Sequence, residues 1–263
     1  MADGGRIAGP KCIALTGPFA SGKTTLLEAV LARTGAVTRQ GVVAEKNTVG
    51  DASPEARAHQ MSVEVNVADT EFMGDRLTFL DCPGSVEFAF ESEAILPAVD
   101  LAVVVAEADE KKIPALQVIL KSLEERRIPR LLFLNKMDKA DSRVRATLEM
   151  LQPASTVPLV LRHIPIWQAG VVTGFIDLAL ERAFVYREHA GSEVIDLGDE
   201  DRSREAEARF TMLETLADYD DGLMEQLLED IQPDRDNVFR DLVQEMRDGL
   251  ICPVLIGSAE KGF

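Results

Sequence analysis

The octet "GPFASGKT" occupies Gly17–Thr24, between an apolar run and a helix-forming run. The run Lys11–Thr16 predicts a buried strand, and residues 25–31 predict a helix that ends near Gly35. Gly17 and Gly22 permit backbone conformations in which several amides converge on one point. The helix N-terminus adds the positive end of its dipole. Strand, glycine loop and helix in this order predict a phosphate-binding loop.

The spacing G-x-x-x-x-G-K-T predicts a role for two side chains of this loop. We expect the Lys23 ammonium to reach the β and γ phosphates of a nucleotide and the Thr24 hydroxyl to ligate Mg²⁺. A tight turn with a surface lysine would not need the whole octet. The predicted phosphate-binding residues are Gly17, Ala20, Ser21, Gly22, Lys23, Thr24 and Thr25.

A second polar site is predicted in the stretch "LDCPGSVEF" at residues 80–88. The apolar run 76–80 reads as a strand that delivers Asp81, and the following Pro-Gly pair turns the backbone at once. We expect Asp81 to hold magnesium through its shell and Gly84 to offer an amide to the γ phosphate. Ser85 stands where a group that handles the attacking water would be expected, and is the candidate catalytic position together with Gly84.

A base-recognition site is predicted at "NKMD", residues 135–138, directly after the apolar strand 130–134. An ionised Asp138 only accepts hydrogen bonds, so it can take two hydrogens from the N1 and amino edge of guanine, which adenine does not offer in that pattern. Asn135 would brace the pocket, and the stem of Lys136 would cover the base. The end of a strand is where an open parallel sheet places its ligands.

The last strand, 252–256, leads into "GSAEKG", where the amides of Ser258 and Ala259 are expected to face the guanine carbonyl. Continuous apolar runs at 101–106, 130–134 and 252–256 predict a parallel sheet buried on both faces.

The sequence also predicts a helix and an edge strand beside these parallel strands. A helix is predicted from Ile113 to Arg127. An antiparallel edge strand is predicted at 62–68, pairing with 76–80 across a turn near Gly74. Residues 47–60 lack apolar periodicity and are predicted to be mobile without nucleotide.

Composition excludes several functional classes. The chain has 46% hydrophobic residues, a net charge of -17 and a pI near 4.6, which argues against binding to free DNA or RNA. Neither a signal peptide within Met1–Arg6 nor a long apolar span is visible, so we expect a cytoplasmic protein without a membrane segment. Residues 191–230 hold fourteen acidic residues against three Arg, or 14 - 3 = 11 of the 17 net negative charges. This stretch is interpreted as a solvated helical face or as a surface for a protein partner.

The cysteines and histidines show no metal-binding pattern. Cys12, Cys82 and Cys252 are far apart in sequence and odd in number, which favours small buried side chains over disulfides. The three histidines, His59, His163 and His189, are equally scattered. We therefore expect no metal site among them.

With these motifs in order, the chain resembles the translational GTPases, and most closely the G domain of elongation factor G, over residues 12–263. The resemblance includes the roughly one hundred residues between "NKMD" and "GSA", where this family carries an inserted subdomain. It implies an α/β fold: a P-loop NTPase G domain with a mainly parallel sheet plus an inserted α+β subdomain. The implied boundaries are 1–155 and 251–263 for the G domain and 156–250 for the insert. The chain would then be the N-terminal fragment of a longer protein.

The secondary structure of the insert can also be predicted without the resemblance. A pair of strand hairpins, including the run Val171–Leu178, is predicted to precede three helices. The stretch Glu214–Asp230 belongs to these helices, and the last helix is predicted to close at Gly249.

The sequence departs from the family pattern at three positions. The family histidine that follows the D-x-P-G glycine and positions the attacking water is Ser85 here. The family's phosphate loop usually carries an Asp where this one has Ala20. The threonine of the first switch that ligates magnesium corresponds to Ser62, which keeps the hydroxyl. The resemblance thus implies that Thr24, Ser62 and Asp81 are the magnesium ligands. The three departures favour a paralogue of elongation factor G.

The predicted function is that of a monomeric, magnesium-dependent, GTP- and GDP-binding translational GTPase that docks on the ribosome. Ribosomal stalk proteins are a possible contact of the insert. The alternatives are a GTP-sensing module that hydrolyses little or no GTP, and a release-factor or ribosome-protection relative. A P-loop kinase would share the octet but has no reason to carry "NKMD" and "GSA" in this order.

Overall fold

A computed structural model describes residues 10–263 of the chain except residues 52, 140–143 and 189. The N-terminal stretch Met1–Arg6 and His189, which entered the sequence predictions, lie outside the described residues.

The main sheet of the described residues has seven strands: β1 Lys11–Thr16, β2 Asn66–Phe72, β3 Asp75–Asp81, β4 Leu101–Ala106, β5 Arg130–Leu134, β6 Leu159–Leu161 and β11 Cys252–Ile256. Their order in the sheet is β2-β3-β1-β4-β5-β11-β6. The pair β2–β3 is antiparallel, and every other neighbouring pair of these strands is parallel. The predicted α/β class with a mainly parallel sheet is therefore confirmed.

Helices cover this sheet because the apolar strands must be buried on both faces. Leu116, Leu120 and Leu123 of α4 are at most 1% exposed, and they share the largest core cluster with strand residues such as Val104 and Leu132. The helices of this part are α1 Lys23–Thr34, α2 Pro54–His59, α3 Ala89–Ile95, α4 Ile113–Glu125 and α5 Val144–Leu151.

The region 156–250 contains a second sheet of four strands in the order β10-β9-β8-β7, all antiparallel, followed by three helices. The last helix ends at Gly249, whose φ of 75° suits a glycine. One strand of this range, β6, belongs to the main sheet and pairs with β11. The elements are β7 His163–Gln168, β8 Val171–Asp177, β9 Arg182–Val185, β10 Glu193–Ile195, α6 Asp199–Ala217, α7 Asp221–Leu228 and α8 Arg235–Asp248.

One sequence prediction for the first switch was wrong. The edge strand starts at Asn66 rather than at residue 62, because Ser62 turns inward to contact Thr24 instead of extending the ladder. The stretch 47–60 contains α2, and its predicted mobility without nucleotide stays a prediction. Ser53 caps that helix by accepting a hydrogen bond from the Ala56 amide at 3.3 Å, and Pro54 follows at its first turn.

Within the described residues, no helix is both long and apolar enough to cross a membrane. The three cysteines form no disulfide among the described residues. Cys82 and Cys252 are buried, and Cys12 is half-buried. The predicted turn of the edge hairpin is formed by Met73 and Gly74, both with positive φ, which matches the twist of a two-residue connection.

Candidate functional site

The phosphate loop joins β1 to α1 and lies at the carboxyl edge of the main sheet. Its two glycines have φ of 145° at Gly17 and 98° at Gly22. A Cβ at Gly17 would lie 2.2 Å from the carbonyl oxygen of Val105, and one at Gly22 would lie 2.3 Å from Nδ2 of Asn135. Both positions therefore require glycine for backbone angle and for space.

Lys23 folds back over this loop. Its ammonium donates to the carbonyl oxygens of Gly17 at 3.1 Å and Pro18 at 3.0 Å. Burial lowers the pKa of Lys23 to about 8, although the nearby Asp81 acts to raise it. The loop thus holds a buried positive charge at its centre, where convergent amides and the N-terminus of α1 add to the positive potential.

Thr24, Ser62 and Asp81 come together although they lie on three separate elements. The Thr24 hydroxyl donates to Oδ2 of Asp81 at 2.6 Å and lies 3.2 Å from the Ser62 hydroxyl. All three side chains are buried. Burial raises the pKa of Asp81 to about 7, against the Thr24 hydrogen bond and the charge of Lys23, which lower it. This is a compact set of hard oxygen donors, the type that Mg²⁺ prefers.

A further acid, Asp51, lies beside this cluster. It is 5% exposed, has a φ of 52° and accepts a hydrogen bond from Nδ2 of Asn66 at 3.3 Å. Its charge adds to the rise in the pKa of Asp81. Asp51 is not among the residues predicted from the sequence, because an acid in a polar loop carries no pattern that distinguishes it from a solvated one.

Asn135 and Lys136 link the predicted base site to the phosphate loop. The Asn135 side chain donates to the carbonyl oxygen of Ser21 at 2.8 Å and accepts from the amide of Ala259 at 2.9 Å. Lys136 has a φ of 63°, and its ammonium donates to the carbonyl oxygen of Ala20 at 2.9 Å. Asn135 therefore links the phosphate loop to the loop after β11; its predicted role beside a guanine base stays a prediction.

The loop after β11 closes on itself. The amide of Ser258 donates to the carbonyl oxygen of Phe263 at 2.5 Å, and the Ala259 amide is taken by Asn135. Both amides that were expected to face a guanine carbonyl thus have protein partners, and that contact stays a prediction. The Ser258 hydroxyl accepts from the Lys261 amide at 3.4 Å.

The loop after β3 approaches the phosphate loop closely at Gly84. A Cβ at Gly84 would lie 2.3 Å from the Lys23 ammonium and 2.9 Å from the Pro18 carbonyl oxygen. Ser85 follows, half-buried, and begins the 3₁₀ turn Val86–Phe88. The position of the family histidine therefore lies next to the phosphate loop and carries a short hydroxyl side chain.

Three buried polar atoms of this region have no hydrogen-bond partner among the described residues. They are Oγ of Ser21, Oδ1 of Asp81 and Oδ1 of Asp138. Native proteins leave few buried polar atoms unsatisfied, and those they leave need an explanation. Here the three atoms lie in the phosphate loop, in the oxygen-donor cluster of Thr24, Ser62 and Asp81, and in the loop after β5, so the residues present fit a nucleotide with a bound Mg²⁺.

A cavity of about 760 Å³ adjoins these residues. It is lined by residues of α1, by the segment 38–45, by Asn135 and Lys136, and by Glu260 and Gly262. Its volume lies within the usual range for small-molecule sites.

Comparisons with known proteins agree with this geometry. The family model "Elongation factor Tu GTP binding domain" matches residues 11–263. An "Elongation factor G-like protein" of Synechocystis sp. (strain ATCC 27184 / PCC 6803 / Kazusa) is 44% identical over 251 residues, which are 95% of this chain and 38% of that protein.

A crystal structure of a protein from Thermus thermophilus superposes with a TM-score of 0.84 at 32% identity, covering 96% of this chain and 38% of that one. The chain thus spans a little over a third of the length of these relatives. It belongs to the family of elongation factor Tu GTP-binding domains, and its fold is the G domain of the translational GTPases.

Proposed function

We propose that the chain binds magnesium-GTP and GDP, hydrolyses GTP slowly, and uses the nucleotide state to control docking on the ribosome. The observation that carries the proposal is the set of three buried, unsatisfied atoms on Ser21, Asp81 and Asp138. Each lies where a different part of a guanine nucleotide would satisfy it. A nucleotide without guanine would leave the carboxylate of Asp138 without donors.

The phosphates would be held by the loop Gly17–Thr25. Its amides and the N-terminus of α1 supply donors, and Lys23 supplies charge at the β and γ phosphates. Thr24, Ser62 and Asp81 would hold Mg²⁺, which supplies neutralisation of the charge that develops on the phosphates. Asp51 lies close enough to influence Asp81 electrostatically and would add negative charge to this end of the site.

The base would lie between Lys136 and the loop after β11. Asp138 would accept from the N1 and amino groups of guanine, and the Asn135 bridge would keep the loop after β11 and the phosphate loop in register. A buried acceptor that only the correct base satisfies can discriminate by on the order of 10⁴-fold.

Hydrolysis is expected to be slow because Ser85 stands in the place of the water-positioning histidine. Unassisted GTPases of this fold turn over at about 10⁻⁴ per second, and loss of a positioned base costs about 10² to 10⁴ in rate. The same observation favours a second candidate function: a GTP-sensing module that changes its partner affinity with little or no hydrolysis.

Docking on the ribosome, with stalk contacts through the region 156–250, is proposed from family membership. The acidic character of residues 191–230, with a net charge of 3 - 14 = -11, favours a basic protein surface over RNA as the contact of that region.

Single-turnover hydrolysis of radiolabelled GTP, with and without ribosomes, tests the proposal. Ser85→His is compared with the unmodified protein, and Ser192→His, in the region 156–250, is the matched control. We expect slow hydrolysis by the unmodified protein and the control, and a faster reaction with Ser85→His on ribosomes. Strong ribosome stimulation of the unmodified protein would show that another group positions the water. Complete absence of hydrolysis, with GTP still bound, would favour the sensing module.

A further inference from the structure

Residues 40–50 form a strap that is bonded to α1 through Glu28. Gly41, Thr48 and Gly50 are buried, whereas most of the residues between them are exposed. Residues 40–45 of the strap line the same cavity as Asn135, Lys136 and Glu260. The strap is thus pinned at its two ends and free on its outer side.

Glu28 of α1 pins both ends. Its Oε2 accepts from the Gly41 amide at 3.1 Å, and its Oε1 accepts from the amides of Val49 at 2.5 Å and Gly50 at 3.4 Å. The side chain is 1% exposed, and no cation pairs with it in the part of the chain that the structure describes. A buried carboxylate needs such donors, so the strap amides and Glu28 depend on each other.

The ends of the strap reach the two ends of the nucleotide site. Nε2 of Gln40 donates to the carbonyl oxygen of Ala259 at 2.8 Å, in the loop after β11. At the other end, a Cβ on Gly50 would lie 3.4 Å from Cγ2 of Thr24 and 3.5 Å from Oδ2 of Asp81. One carboxylate therefore fixes a segment that touches both the loop after β11 and the cluster of Thr24, Ser62 and Asp81.

We propose that Glu28 is a positioning residue for nucleotide retention. It holds the strap 40–50 against α1, and Gln40 connects the strap to the loop after β11. The proposal rests on the proposed nucleotide function and adds a residue that none of the sequence motifs contains. The Glu28 side chain is 1% exposed and bonded to the strap amides, so its effect on the nucleotide would be indirect. It acts through the backbone that would have to move for the nucleotide to leave.

Glu28→Gln is the first test, because it keeps size and shape but replaces one acceptor oxygen with a donor that faces backbone amides. Loss of one or two charge-assisted bonds should speed release of fluorescent mant-GDP by about tenfold or more in a stopped-flow chase with excess GDP. Glu71→Gln is the matched control, since it removes the same charge from an exposed position of β2.

A second readout follows the strap itself. Lys46 is exposed at the middle of the strap, so trypsin cleavage after Lys46 reports its opening. We expect faster cleavage there in Glu28→Gln than in the unmodified protein or in Glu71→Gln, at a temperature where circular dichroism shows all three folded.

Gln40→Ala covers the case in which Glu28→Gln does not fold. It removes only the half-buried amide side chain, so the protein should keep its melting temperature and release mant-GDP several-fold faster. Unchanged release and unchanged cleavage in the folded variants would overturn the proposal. If the unmodified protein binds no mant-GDP, the nucleotide function fails instead, and cleavage after Lys46 still decides whether Glu28 clamps the strap.

Discussion

Gly84 shows how tightly single residues define the phosphate end of the site. Its Cα faces the Lys23 ammonium so closely that one added methyl group would lie 2.3 Å from the nitrogen. The same methyl carbon would also lie 2.9 Å from the carbonyl oxygen of Pro18. Lys23 and the loop must therefore shift to accommodate any side chain.

Gly84→Ala should weaken GTP binding by about ten- to a hundredfold, because a displaced ammonium loses a charge-assisted bond to phosphate worth about 1.5–3 kcal/mol. Isothermal titration with GTP measures the change. Gly198→Ala is the control, since a Cβ there meets no atom within 4 Å. Equal affinities for both variants and the unmodified protein would show that Gly84 does not constrain Lys23.

Side chains of the candidate site could be predicted from the sequence only where they belong to a continuous motif. The spacing of the octet and of "NKMD" predicted the positions of Lys23, Thr24 and Asn135, because each motif is continuous in the chain. Glu28 and Asp51 were missed. Their surroundings are made by backbone amides and carboxylates that lie elsewhere in sequence, and no local spacing records such contacts.

Among the helices, α8 carries an acid in an unfavourable place. Glu245 is 5% exposed, and its Oε2 has no hydrogen-bond partner within the described residues. Burial, with the charges of Asp241, Asp220 and Asp248, raises the pKa of Glu245 to about 8. The folded protein therefore holds a proton on this carboxyl at pH values where the unfolded chain has released it.

The contribution of Glu245 to stability should fall as pH rises from about 4.5 to about 8, since over that range the folded state binds more protons at Glu245 than the unfolded state does. Glu245→Gln removes this contribution, so it should flatten the fall in stability and raise the melting temperature at pH 8 by about 2 °C or more. Scanning calorimetry between pH 5 and about 8.5 measures both. Glu149→Gln, on the exposed face of α5, should keep the slope; an unchanged slope in Glu245→Gln would contradict the argument.

Elements with strong apolar patterns were predicted well, and those of the first switch were not. The strands β1, β4, β5 and β11 are buried runs whose position follows from hydrophobicity alone. The start of β2 and the presence of α2 depend on whether Ser62 faces Thr24 and on a Ser53 cap. Both are decided by tertiary contacts that short polar stretches do not reveal.

The predicted base site brings together residues from distant parts of the chain. Asn135 and Ala259 are 124 residues apart in sequence, yet they meet because β5 and β11 are neighbours in the sheet. The region between them also reaches the site: Tyr186 stacks on Phe263 with ring centroids 3.8 Å apart, and Lys261 pairs with Glu188 at 2.9 Å. The loop after β11 is therefore supported by both sheets of the molecule.

The division at 156–250 follows from family resemblance, and it stays a prediction. β6 lies within that range and completes the main sheet, so the two parts share an edge. Sequence alone could place the second sheet and its three helices between "NKMD" and "GSA". The sequence could not show that Tyr186 and Glu188 would contact the loop after β11. Contacts between distant aromatic or charged residues leave no regular spacing in the sequence.

The most direct test is base selection by Asp138. Binding of GDP, ADP and XDP is measured in competition with mant-GDP for the unmodified protein and, with mant-XDP as the probe, for Asp138→Asn. We predict that the unmodified protein prefers GDP over ADP by on the order of 10⁴-fold. Asp138→Asn should lose GDP and gain XDP, because an amide can donate to the carbonyl that xanthine carries in place of the guanine amino group. Equal affinities of the unmodified protein for GDP and ADP, or an unchanged preference in Asp138→Asn, would contradict a guanine site at this position.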